Sequence, residues 1–169
     1  MLIWNPSKLT TKGKALLAKA QAGRCTIKIT KAQTGAGQYS SGEATDTRTS
    51  LKAPVQTLPI HSKEIQNGST LVLKVAITNK TSDTDVLKSG YEIREFGIFA
   101  QDPDDGEILY SIATASTSDY MPAYNGVIPS VISMSYYLEV ANASSVTIVT
   151  AGGLALQHYC CNKRASYAD

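Results

Sequence analysis

Any nucleophilic or metal chemistry in this chain would have to come from two histidines, His61 and His158, and three cysteines, Cys25, Cys160 and Cys161. His61 lies in a strand-like run, Leu58–Glu64, with no serine or cysteine nucleophile placed beside it by a recognisable motif, and reads as a surface residue. His158 and the vicinal Cys160-Cys161 give three neighbouring ligands where a zinc site wants four. A plain tail is the better reading, and no metal or cofactor is expected. Cys25 alternates with polar neighbours and reads as a buried, reduced thiol. Asp102, Asp104 and Gly106 superficially suggest a calcium loop. The EF-hand register needs Gly at position six and Glu at position twelve, where Glu107 and Ala113 stand. Thr34-Gly35-Ala36-Gly37 lacks the Gly-Lys-Ser/Thr of a phosphate loop. The carboxylates at Asp104-Asp105 and around Glu92 and Glu95 lack the opposed, desolvated setting of a glycoside-cleaving pair. The residue inventory points away from catalysis.

Glu95 carries a different implication. It sits in an apolar strand, beside Arg94, and strand neighbours are expected to point to opposite faces. A carboxylate facing the core must be hydrogen-bonded or paired with some other group, which makes Glu95 a structural keystone rather than a catalyst. Gly97, Asp102 and Gly106 belong to the same block. Asp102-Pro103-Asp104-Asp105-Gly106 supplies a fixed φ, Asx-type bonds and a glycine free to take φ > 0, so Gly90–Tyr110 reads as a β-hairpin.

The elements that would position these residues follow from periodicity. Leu9, Gly13, Leu16, Leu17 and Ala20 share a face at helical spacing, which predicts a helix over Leu9–Ala22, capped by Thr10 or Thr11 and closed by Gly23. Gly13 costs about 1 kcal/mol relative to Ala there, which implies a strand packed closely against it. From Cys25 the period becomes two. Gly35–Thr49 reads as loop. Val55–Ile65 and Leu71–Asn79 flank Asn67-Gly68, a strong hairpin signal. Tyr91 and Ile93 lie on one parity, and Phe96, Ile98 and Ala100 on the other. A β-bulge at Glu95 explains this; a strand buried on both faces is the alternative. Ser116–Pro129 reads as a long loop, Ile132–Val140 as an alternating strand and Ser145–Thr150 as the last strand. The pattern is α+β and mostly β: one N-terminal amphipathic helix packed on an antiparallel β-sandwich of about seven strands.

A chain of 169 residues suits one domain, expected over 1–151, with 152–169 as a tail or short linker. No apolar run approaches a membrane span, and the N-terminus MLIWNPSK has no signal-peptide pattern, so a cytoplasmic origin and no membrane partner are expected. Met1–Gly42 has no Asp or Glu but seven Lys or Arg, whereas Asp83–Glu107 is strongly acidic. Opposite fields on a small body suit docking in a set orientation; solvated faces are the plain alternative.

The motif Arg94-Glu95-Phe96-Gly97-Ile98-Phe99-Ala100, then the acidic turn and Gly106-Glu107-Ile108-Leu109-Tyr110, resembles the signature of phage tail-collar fibre proteins. These are baseplate-proximal N-terminal domains of tail fibres in contractile-tailed phages and related bacteriocins. Leu9–Ala18 is similar to the helix that opens that family, Ile27–Gly37 to its strand and glycine-rich turn, Leu71–Asn79 to its middle strand and Tyr136–Thr147 to its closing strands. The resemblance implies a structural virion component that attaches a tail fibre to a baseplate. Its implied partners are a baseplate protein and a fibre protein, with self-association as a trimer. The competing reading is a carbohydrate- or receptor-binding module at the tail tip. Nucleic-acid binding is disfavoured because few aromatics interleave with the lysines. Trp4, Tyr39, Tyr120 and Tyr124 are the interface candidates, Trp4 foremost, since aromatics concentrate at interface centres; otherwise they close off the core.

Overall fold

A computed structural model describes residues 1–66, 70–139 and 146–148. Along the chain come β1 (Ile3–Trp4), β2 (Lys8–Leu9), α1 (Thr11–Gln21), β3 (Lys28–Gly35), β4 (Pro54–Leu58), β5 (Ser62–Gln66), β6 (Thr70–Thr78), β7 (Tyr91–Asp102), β8 (Gly106–Met121), β9 (Val131–Glu139) and β10 (Thr147–Ile148). The body is mostly β with one short helix. Asn67-Gly68, Thr150, His158 and Cys160-Cys161 lie outside the described residues.

The helix follows two short strands rather than opening the fold, and Leu9 belongs to β2. Thr10 is the N-cap: its hydroxyl accepts from Gly13 N at 2.9 Å and donates to the Leu109 carbonyl at 2.5 Å. Gly23, at φ 71°, ends the helical run. Only Gly13 and Leu16 are buried, a narrower stripe than the periodicity predicts, with Leu17 and Ala20 half-buried. Gly13 lies so close to β8 that a Cβ would collide with the Tyr110 carbonyl. That is the close approach its helix cost implied.

β8, β7 and β3 form the antiparallel spine of one sheet, with β1 and β2 on the far edge of β8 and β4 and β10 on the far edge of β3. β5, β6 and β9 form a second, antiparallel sheet. Ten strands among the described residues replace the expected seven or so, because β1 and β2 are two residues each and too short to show a period, and one expected strand divides into β4 and β5. β10 pairs parallel to β3, so the first sheet is not wholly antiparallel. The stretch read as one strand from Val55 to Ile65 breaks after Leu58 and supplies a strand to each sheet. Ser116–Met121, read as loop, continues β8. Cys25 precedes β3 and is half-buried rather than buried on a strand.

Both sheets face one core. Leu71, Leu73, Val75 and Ile77 of β6 and Met134, Tyr136 and Leu138 of β9 meet Ile29, Ile93, Phe96, Ile98 and Leu16 there. The register of β7 on β8 shifts between Ile93 and Glu95 and again between Ile98 and Phe99. The first shift switches the inward parity from Tyr91 and Ile93 to Phe96, Ile98 and Ala100, as expected. The extra residues lie on β8, however: Ile93 pairs with Asp119 and Glu95 with Thr114. Residues 95–100 of β7 are also buried on both faces. Phe99 joins Leu51, Leu109 and Ile112 in a second apolar cluster behind the sheet, so both readings of this strand hold.

Candidate interface

Glu95 is fully buried, and its carboxylate is saturated. Oε1 accepts from Gly37 N at 3.1 Å and Ala53 N at 2.7 Å; Oε2 accepts from Lys52 N at 2.8 Å and the Tyr39 hydroxyl at 2.5 Å. Three of the four donors are backbone amides from both ends of the 36–53 segment, which the carboxylate pins to the sheet. A Cβ on Gly35 or Gly37 would collide with the Glu95 side chain. Gly35-Ala36-Gly37 is therefore the approach path of the cradle. Sequence reading named Glu95 but missed this link; the signal was a glycine pair beside a lone acid in an apolar strand. Gly97 leaves room for Leu51 and Leu109, which would lie 3.0 and 2.8 Å from a Cβ there.

Arg94 does not point away from Glu95. Its guanidinium donates to Gln38 at 3.2 Å, on the same segment that Glu95 holds. The register shift places consecutive side chains on one side, which regular alternation forbids. The two are still not each other's partner.

Asp102 is buried, and its Oδ1 accepts from Asp104 N at 2.8 Å and Asp105 N at 3.2 Å. Lys19 of α1 reaches the same oxygen at 2.7 Å. Burial alone would raise the Asp102 pKa; the Lys19 bond and the two amides outweigh it and hold the carboxyl below its usual range. The bond to Asp102, with one to Asp104, raises the Lys19 pKa. Gly106 closes the turn at φ 77°.

The charge asymmetry has an internal explanation. Lys12 pairs with Asp105 at 3.2 Å, Lys14 with Asp46 at 3.7 Å, Lys19 with Asp104 at 2.8 Å and Lys31 with Glu107 at 2.5 Å. The basic helix and β3 lie against the acidic hairpin turn, so much of the two fields cancels within the chain.

Two grooves flank the segment 4–8, and Asn5, Pro6 and Lys8 line both. The first, about 890 Å³, runs between that segment and β9, with Trp4, Met134 and Tyr136 in its wall. The second, about 790 Å³, lies between the same segment and residues 37–45, with Arg94, Thr114 and Ser116 in its wall. Trp4 is half-buried, its ring edge-on to Phe96 at 6.0 Å between centroids. Tyr39 lines the second groove, where Arg48 and Lys52 lie over its ring at 5.6 and 5.2 Å. Burial, and the bond to Glu95, hold its phenol well above the ordinary tyrosine range.

Tyr120 and Tyr124 line neither groove. Tyr120 is 55% exposed on β8. Tyr124 is half-buried, with Lys80 5.4 Å from its ring centre. Periodicity gave no sign of Asn79, which is buried and ties the 122–130 loop at both ends, accepting from Ser130 N at 2.8 Å and donating to the Pro122 carbonyl at 3.1 Å. That loop presents Val127 and Ile128, both strongly exposed, while Asn125 accepts from their amides. His61 is exposed. Among the described residues no cluster of three metal-ligating side chains occurs and no helix is long and apolar enough to cross a membrane.

The described body is pleated, with buried polar anchors and open grooves. The chain belongs to the phage tail-collar fibre protein family, whose N-terminal model matches residues 6–157. It is thus a structural component of a phage tail fibre, part of the virion tail and associated with other tail components. No curated protein and no solved structure matches the chain.

Proposed function

We propose that this chain is the module that attaches a tail fibre to the baseplate, by binding alone and with no bond made or broken. The family match, spanning nearly all of the described body, carries the reading. The face bearing the segment 4–8 is the docking surface, with Trp4 and Tyr39 as its aromatic contacts. Tyr120 and Tyr124 serve a second contact, toward the fibre or another copy. In this reading the two sheets are a β-sandwich, residues 1–151 are the attachment domain and 152–169 lead onward. The working unit is a trimer, in which modest single contacts add through multivalency. The protein is assembled in the bacterial cytoplasm and works at the baseplate in host attachment.

The test mixes the purified chain with fibreless tail particles and measures co-sedimentation. Specific binding, weakened by Trp4→Ala, is expected. No co-sedimentation together with binding on a glycan array would overturn attachment in favour of carbohydrate recognition.

A further inference from the structure

The groove between the segment 4–8 and residues 37–45 holds three charged lining residues, Lys8, Glu43 and Arg94. Glu43 is already neutralised: Lys52 lies 3.0 Å from each of its oxygens and Arg48 at 3.9 Å, and Ser40 N donates at 3.0 Å. These bonds and charges hold its pKa low. Lys8 and Arg94 have no carboxylate within 4.0 Å among the described residues, and Arg94 meets only the Gln38 amide. The contrast with Lys12, Lys14, Lys19 and Lys31, all paired within the chain, is the informative point.

The backbone explains why Arg94 is left open. It falls at the break where β8 carries extra residues, so it has no register partner on β8. Thr114, Ser116 and Ser118 recur at strand period along the groove's opposite wall. Asn5 donates to the Thr114 hydroxyl at 3.1 Å and Ser116 donates to the Ile3 carbonyl at 3.1 Å, which tie the segment 3–5 to that wall. The other wall is fixed from beneath by Glu95. The groove is preformed, lined with hydroxyls and left with two uncompensated cations.

We propose that this groove receives an acidic, extended segment of a neighbouring tail protein, with an Asp or Glu carboxylate seated between Arg94 and Lys8. The guanidinium offers a planar donor pair to the carboxylate and the ammonium a second charge. That the occupant is a protein rests on the attachment reading; that it is anionic rests on the groove alone.

The test is fluorescence anisotropy with a labelled oligoglutamate peptide, on wild type and on Lys8→Gln, Arg94→Gln and the double variant, with Lys28→Gln as a control. Lys28 is exposed on β3, outside the groove. Removing either groove cation should weaken binding roughly tenfold, as expected for a lost charge-assisted hydrogen bond, with urea midpoints unchanged. Lys28→Gln should bind as wild type does. Equal affinity of the double variant and wild type overturns the proposal. So does an equal loss in Lys28→Gln, which marks unspecific attraction, and so does displacement of the peptide by inorganic phosphate at equal charge concentration. Peptide binding that persists when fibreless particles do not bind the chain would overturn the attachment reading while leaving the anion-binding groove standing.

Discussion

At the scale of single residues, Glu95 illustrates how a buried charge becomes a fastener. Every lone pair directed at the 36–53 segment has a donor, so the carboxylate's desolvation is offset by four charge-assisted bonds. Glu95→Gln presents an amide NH₂ to donors on one side of the cradle. It should lower stability by about 3 kcal/mol, read as a fall in urea midpoint at constant slope. An unchanged midpoint would show that the segment is held elsewhere. Asp102→Ala should cost about 2 kcal/mol, because it strips the turn amides and Lys19 of their acceptor. The Asp102 pKa is lowered by folding, so its contribution is present above the unfolded value of about 3.9 and fades as pH falls below it. The Asp102→Ala variant should accordingly lose less stability than wild type on acidification from pH 5 to pH 3, measured by urea titration at each pH. The need for partners at Glu95 was legible from the sequence, since an acid inside an apolar strand demands them. The partners were not, because backbone amides carry no residue identity to recognise.

At the scale of elements, the helix and the hairpin make opposite use of glycine. Gly13→Ala would raise helix propensity by about 1 kcal/mol in isolation. Here the methyl meets the Tyr110 carbonyl of β8, and overpacking of that kind costs about 1–3 kcal/mol. Net destabilisation is expected from thermal unfolding; a stabilised variant would show that α1 rides more loosely on β8. Strands with clean alternation, β6 and β9, could be read directly from the sequence. β7 was harder because it is buried on both faces, and β8 because its outer stretch pairs with β7 beyond a break in register, the residues inside the break pairing with the two-residue β1. The one-sided stripe expected of α1 shrank for a related reason: the edge carrying Lys12 and Lys19 turns toward the acidic turn, not toward apolar side chains.

At the scale of the whole molecule, several phenols are coupled to the integrity of the core. Burial pushes Tyr91 and Tyr110 up to about 12, against about 10 for a free tyrosine. Folding therefore favours their neutral forms. That stability is intact below about pH 10 and is lost as pH rises toward the folded values. Alkaline titration should show tyrosinate absorbance from these residues rising in one cooperative step, together with loss of the far-UV dichroism. Gradual ionisation with the dichroism preserved would contradict this. The same scale divides the most tempting sequence inference. Four of the seven basic residues of Met1–Gly42 find their match within the chain, three of them on the acidic hairpin turn, while Lys8 is left for a partner. A charge count along the sequence cannot separate attraction between molecules from attraction between a helix and a turn brought together by folding.

The Glu95 cradle grips main chain, and the only side-chain grip it takes on the 36–53 segment is the Tyr39 hydroxyl. Given the close-fitting glycines, that tyrosine, the buried Leu51 and the left-handed Gly42, the remaining exposed positions are at liberty to change without unmooring the wall they build. A lineage could thus retailor what its tail accepts by rewriting residues 40–45 around Gly42, and an engineer could graft that stretch from one such module to another to redirect its allegiance.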